Sequence, residues 1–209
     1  MKIEIKNISH SERLSEETHA FAATLYIDGK KVGNVRNEGM GGPTDIAHES
    51  REGLELIRQA ENWCNQLPPT VYPAEGSTPE IPVDMSLESH IDALLLGYLQ
   101  EKDRKQFLRK MEKAMLTGIV VCPEDANEFG EFKLKGKVDD FVMSASGRAL
   151  LVKVLKTILP KMKEGDRIVN RNIPVEIYKA AGLADYQYPP AEAQKEDHIV
   201  QRKGRTKGL

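Results

Sequence analysis

Cysteine is nearly absent from this chain: Cys64 and Cys122 stand alone among 209 residues. Neither belongs to a CxxC pair or to a zinc-finger spacing. That excludes a disulfide framework and a cysteine-built metal site, and reads as two reduced, partly buried thiols of a cytosolic protein. Aromatic residues are few, at 6%, with one Trp. No apolar run reaches the ~18 residues a membrane-spanning helix needs, so no membrane span is expected. The opening Met1-Lys2-Ile3-Glu4-Ile5-Lys6 alternates charge with apolar residues and holds no signal-peptide core.

Charge of one sign is also missing. The 30 Lys+Arg against 32 Asp+Glu leave a net charge of −2. A protein that holds nucleic acid by bulk electrostatics carries a basic excess, so the whole-chain charge makes nucleic acid the less favoured partner and leaves room only for a local patch. An apolar content of 40% suffices for a core and argues against global disorder. The length allows one large domain or two small ones.

The first segment, residues 1–67, carries β patterning and then a helical period. Lys2 to Ile8 alternates, with Ile3, Ile5 and Ile8 apolar. Phe21 to Ile27 and Lys30 to Val35 flank Asp28-Gly29, a pair suited to a type I′ turn because both central residues need positive φ. An antiparallel meander over about residues 2–36 follows, and it needs a helix across one face. Leu54, Ile57, Ala60, Cys64 and Leu67, with Trp63 beside them, give that helix its apolar stripe. Thr44 or Asp45 is the expected cap, and Pro68-Pro69 the stop.

Five prolines fall in residues 68–83, so 68–85 reads as a linker and the domain boundary. Residues 86–188 read as a mainly helical region. A long helix opens at Ser86, with its apolar face interrupted over Gln100 to Gln106: one helix passing between two packing surfaces, or two with a bend. A strand over Gly118 to Cys122, a return strand near Phe129 to Leu134 and a short helix at Val138 to Met143 follow. Then come a helix over Gly147 to Met162, a short strand at Arg167 to Asn170, and a last helical turn stopped by Gly182. Residues 189–209 are polar and read as a disordered tail. The fold class is α+β: an N-terminal antiparallel meander packed on a helix, then a mostly helical region with a small hairpin.

The most informative local feature is Gly39-Met40-Gly41-Gly42-Pro43-Thr44-Asp45. Three glycines in four positions permit positive φ and close backbone approach, and free N–H groups there suit an anion. Lys30, Lys31 and Arg36 lie upstream, and His48 lies just beyond. The candidate ligand set is therefore Lys30, Lys31, Arg36, Gly39, Gly41, Gly42, Thr44 and His48. The loop lacks the Gly-Lys-Ser/Thr of a Walker motif and the third glycine of GxGxxG. The plainer alternative is a turn from sheet to helix.

Of the five histidines, none makes HxH, HxxxH or HExxH, and no metal or cofactor is implied. His10 and His19 flank a turn region and could meet across the hairpin. Glu88 and Asp92 share a helix face while His90 points elsewhere, which gives no ready acid–base pair. No GxSxG and no Cys–His spacing supports nucleophilic catalysis, and catalytic residues stay unassigned.

The runs Leu25-Tyr26-Ile27-Asp28-Gly29-Lys30-Lys31-Val32-Gly33 and Asn37-Glu38-Gly39-Met40-Gly41-Gly42 resemble small uncharacterised proteins of bacteriophages and other bacterial mobile elements. The segments Leu159-Pro160-Lys161-Met162-Lys163-Glu164-Gly165-Asp166 and Asn170-Arg171-Asn172-Ile173-Pro174 are similar to their C-terminal part. The resemblance implies an accessory protein of the bacterial cytoplasm and carries no catalytic residues with it. Three functional expectations result. The first is a non-enzymatic protein that binds a host protein or sequesters a small anionic ligand such as a signalling nucleotide, with homo-oligomers allowed. The second is an enzyme on a phosphorylated substrate, with His48 or Asp45 as acid–base group. The third is a nucleic-acid binder using Arg104, Lys105, Arg109, Lys110 and the basic tail.

Overall fold

A computed structural model describes residues 1–71, 82–123 and 126–190. The chain is α+β and divides into two compact units, the first Met1–Glu101 and the second beginning at Lys102.

The first unit is built on a four-stranded antiparallel sheet in the order β1 (Ile3–His10), β2 (Phe21–Ile27), β3 (Lys30–Asn37), β4 (Asp45–His48). Asp28 and Gly29, at φ 47° and 82°, make the turn between β2 and β3 as their sequence requires. Alternation turns Ala23, Leu25, Ile27 and Val35 inward, and a bulge opposite Leu25 and Tyr26, which leaves Val32 out of the pairing, turns Val32 inward as well. Helix α1 (Arg51–Cys64) lays Ile57, Ala60 and Cys64 on that face.

Thr44 and Asp45 do not cap α1. The chain first pairs Asp45–His48 against Gly33–Arg36 as β4, and Ser50 caps the helix by accepting the Gly53 N–H at 3.0 Å. A glycine is required at 53, because a Cβ there would sit 2.5 Å from the Val32 carbonyl oxygen.

The Pro-rich stretch is flanked by the two-residue strands β5 (Thr70–Val71) and β6 (Pro82–Val83), which pair with each other. The rest of it, residues 72–81, lies outside the described residues, as do most of the expected tail and Glu124-Asp125 of the expected turn.

Helix α2 (Leu87–Met115) is continuous over 29 residues. Its N-terminus is capped reciprocally: the Ser86 hydroxyl accepts from the Ser89 N–H at 3.0 Å, and the Ser89 hydroxyl accepts from the Ser86 N–H at 2.8 Å. Serine here does what glutamate does in a capping box. Leu87, Ile91, Leu95 and Leu99 complete the first core, each burying an aliphatic side chain worth ~2 kcal/mol. The boundary between the units therefore falls inside α2, beyond the Pro-rich stretch that composition marks as a linker.

The second unit holds a three-stranded antiparallel sheet, β8 (Gly130–Lys133), β7 (Gly118–Pro123) and β9 (Asp166–Ile168), with β7 central. Three helices cover it: α3 (Val138–Met143), α4 (Ala145–Ile158) and α5 (Val175–Ala181). Ser144 alone separates α3 from α4 and caps α4 by accepting the Gly147 N–H. A 3-10 turn at Leu159–Lys161 contains Pro160 and ends α4. Gly182, at φ 88°, closes α5. The core joins Ile119 and Val121 to Leu151, Leu155, Ile158, Ile168 and Tyr178.

Asn170 organises this unit. Its side chain is fully buried, accepts from the Val120 N–H at 2.7 Å and donates to the Gly118 carbonyl at 2.8 Å. Its own carbonyl accepts from the buried Tyr178 hydroxyl at 2.6 Å. Nothing in the local sequence marks it, because the backbone groups that its side chain ties together lie about 50 residues upstream.

Candidate functional site

The glycine loop is held by side chains from its own unit. The Asn37 carbonyl oxygen accepts from the Gly39 N–H at 2.8 Å and from the Thr18 hydroxyl at 2.9 Å. The Asn37 amide donates to the Gly42 carbonyl at 2.9 Å and to the Thr44 hydroxyl at 3.2 Å. The Gly39 carbonyl accepts from the N–H groups of Glu16, Glu17 and Thr18. Gly39 must be glycine: its φ is 88°, and a Cβ would meet the Leu14 carbonyl oxygen at 2.2 Å.

Both donors of Thr44, at the end of the loop, face carboxylates. The Thr44 N–H donates to Glu88 at 2.8 Å, and its hydroxyl donates to Asp92 at 2.9 Å. Glu88 and Asp92, which sequence spacing put on one helix face without a role, thus clamp one threonine. Burial pushes the Asp92 carboxyl above its ordinary pKa; the Thr44 hydrogen bond opposes that, the Glu88 charge adds to it and His19 works against it. The Gly41 N–H goes to the Thr18 hydroxyl at 3.3 Å. An anion at this loop would have to displace these acceptors and sit among negative charges.

The eight candidate ligand residues do not converge. Lys30 and Lys31 start β3 beside the hairpin turn, and the glycine loop follows its other end. Seven residues of strand separate Lys30 from Asn37 by ~23 Å. Lys30 pairs with Glu52 at 2.8 Å, Lys31 with Glu49 at 2.7 Å, and Arg36 with Asp45 at 3.3 Å. His48 is exposed on β4, opposite Gly33. Arg36, Gly39, Gly41, Gly42 and Thr44 remain near one end of the sheet. His10 and His19 do meet, with ring centroids 5.4 Å apart. Among the described residues, no group of three or more His, Cys, Asp or Glu is placed to hold a metal ion. Likewise, no described helix is long and apolar enough to cross a membrane. Both cysteines are buried and free, and burial pushes each thiol up.

A different surface emerges when charge is counted by unit. Residues 1–101 hold 8 Lys+Arg against 17 Asp+Glu, a net −9; residues 102–209 hold 22 against 15, a net +7. The near-neutral total is a cancellation. Between Ser144 and Lys163 there are five bases, Arg148, Lys153, Lys156, Lys161 and Lys163, and no acid. All five are exposed, and none of them is in an ion pair among the described residues. The reason is local: α4 buries Gly147, Leu151, Leu155 and Ile158, which leaves Lys153 and Lys156 on the opposite side, while the Arg148 guanidinium turns back to donate to the Val142 carbonyl at 2.6 Å. The Lys161 ammonium lies 5.9 Å from the centre of the Phe132 ring on β8, next to Lys133. Lys135 and Lys137, also exposed, follow on the loop into α3. A count by segment was the signal that the whole-chain sum hid.

The second unit also carries an open hollow of about 420 Å³ between α2 and the residues leading into β8. Phe107 and Phe129 line it, edge to face at 5.7 Å, with Gln106 and Asn127 beside them. Comparison of the chain with protein-family models, with curated proteins and with solved structures finds no match.

Proposed function

We propose that this chain is a nucleic-acid-binding protein and that its second unit holds the phosphate backbone. The observation that carries this reading is the acid-free stretch Ser144–Lys163, whose five bases are exposed and without ion pairs among the described residues. Exposed lysines with no carboxylate partner keep their counterions loosely. A polyanion that replaces those counterions releases them to bulk, and that release drives binding. The +7 of this unit supplies the longer-range attraction. The bases of the glycine-loop set are different, because each already has a carboxylate within 3.3 Å. The weight the whole-chain charge put against nucleic acid came from summing two units of opposite sign. An accessory role for a mobile element, as the sequence resemblance implies, is compatible with this activity and remains part of the proposal.

The test is a fluorescence-anisotropy titration of labelled oligonucleotides across a salt series. Five phosphate contacts predict that log K falls against log salt with a slope of about −3.5 for a single strand. Replacing Lys153, Lys156 and Lys161 together by Gln should shallow that slope by about 2. No binding near ~50 mM salt, or a triple variant indistinguishable from the parent, would overturn the reading.

A further inference from the structure

We propose that the Phe107–Phe129 hollow takes one unstacked base of a single-stranded nucleic acid. This rests on the reading of the second unit as a nucleic-acid binder and names the form of nucleic acid it selects. The two half-buried rings are set edge to face, with centroids 5.7 Å apart, in a hollow of about 420 Å³ that is open to solvent. A base is a flat apolar plate with a polar edge, and aromatic side chains are the groups on which proteins stack it.

The rest of the lining matches the edge. Gln106 and Asn127 each bring an amide, which both donates and accepts. Asp103 and Glu128 are acceptors suited to exocyclic amino and ring N–H groups and unsuited to phosphate. Lys110, also on the rim, carries the charge a phosphate needs. A protein segment would find the same rings, but the +7 of the unit selects a polyanionic partner over a neutral one. A duplex keeps its bases stacked and offers none to the hollow, so single strand and duplex should respond differently to the same substitutions.

The experiment compares a mixed-sequence single strand with a duplex of the same length, using the full chain. Phe107→Leu and Phe129→Leu should weaken single-strand binding by roughly 5- to 100-fold and leave duplex affinity and both salt slopes unchanged. Phe107→Tyr should restore binding, because it keeps the stacking face. Asn127→Leu guards against a folding defect: position 127 is exposed, so the change alters the hollow without touching the ring pair. It too should weaken single-strand binding selectively. Equal losses for both nucleic acids, or no loss in variants that melt like the parent, would overturn the base site. If the α4 lysine variant keeps its salt dependence, the underlying reading fails. If that variant behaves as expected and only the ring variants do nothing, the base site alone fails.

Discussion

The two units use their charges in opposite ways. In the first, Lys2, Lys6, Lys30, Lys31 and Arg36 all lie within 4 Å of a carboxylate, in a surrounding that is net −9. These are exposed pairs, worth little to stability individually, but they leave little free positive charge on the sheet. In the second, the bases of α4 and the turn after it face solvent with no acid in their stretch. The lesson is that position among neighbours decides what a lysine offers. Lys30 and Lys31, which precede the glycine loop in sequence, are already paired.

The units also share a device, a buried asparagine that ties distant backbone together. Asn170 joins β7 to the segment after β9, and Asn37 joins β3 to the glycine loop. Asn170 is fully buried, so Asn170→Ala would strand the Val120 N–H and the Gly118 carbonyl. We expect a loss of about 3 kcal/mol in urea unfolding. Asn37, at 9% exposure, lies nearer water, and its alanine variant should cost less, about 2 kcal/mol. Equal costs would erase this difference between the units.

The next effect concerns the charges themselves. The Lys153, Lys156, Lys161 triple glutamine should lower oligonucleotide affinity roughly 100-fold at low salt, whereas the same change at Lys30, Lys31 and Arg36 should leave it within a factor of two or so. A comparable loss from the second set would return the glycine-loop face to consideration.

Within the loop, Gly39→Ala should cost about 2 kcal/mol, since φ is positive and the Cβ would collide with backbone. Gly42→Ala, with nothing within 4 Å and no left-handed φ, should change stability by less than about 0.5 kcal/mol. Thermal melts of the two variants separate a loop fixed by its backbone conformation from one that merely needs small residues.

The smallest expected effect is at Asp92. Its carboxyl is held above its unfolded value chiefly by burial, so the charged form carries a penalty at neutral pH. That penalty is present above the folded pKa and is relieved as pH falls through it. Asp92→Asn keeps an acceptor for Thr44 and removes the titration. Its stability should therefore exceed the parent's slightly at neutral pH, and the difference should close as the solution is acidified. A parent that is the more stable of the two at neutral pH would contradict this.

Much of the fold is legible in the sequence because its elements are locally encoded. The Asp28-Gly29 hairpin, the α1 stripe, the Val-rich β7 and the Gly182 stop all follow from a few adjacent residues. Strand β4 is not, since Asp45-Ile46-Ala47-His48 has little alternation and is ordered by pairing with β3. Composition and packing divide the chain at different places for a similar reason. Prolines mark where a helix cannot run, but they do not say which core the next helix joins, and Leu87 through Leu99 join the first. The candidate site is the least legible part. Lys30 and Gly39 are near in sequence and lie near opposite ends of one strand. Thr44, Glu88 and Asp92 are far apart in sequence and touch.

The contact order of the two cores has a consequence during synthesis. The first core is complete once Leu99 has left the ribosome, since every residue it needs lies upstream. The second cannot close until Ile168, Ile173 and Tyr178 arrive to meet Ile119 and Val121. At typical elongation rates that interval is on the order of several seconds. During it, an acidic folded unit precedes a basic, apolar-rich nascent segment emerging beside ribosomal RNA.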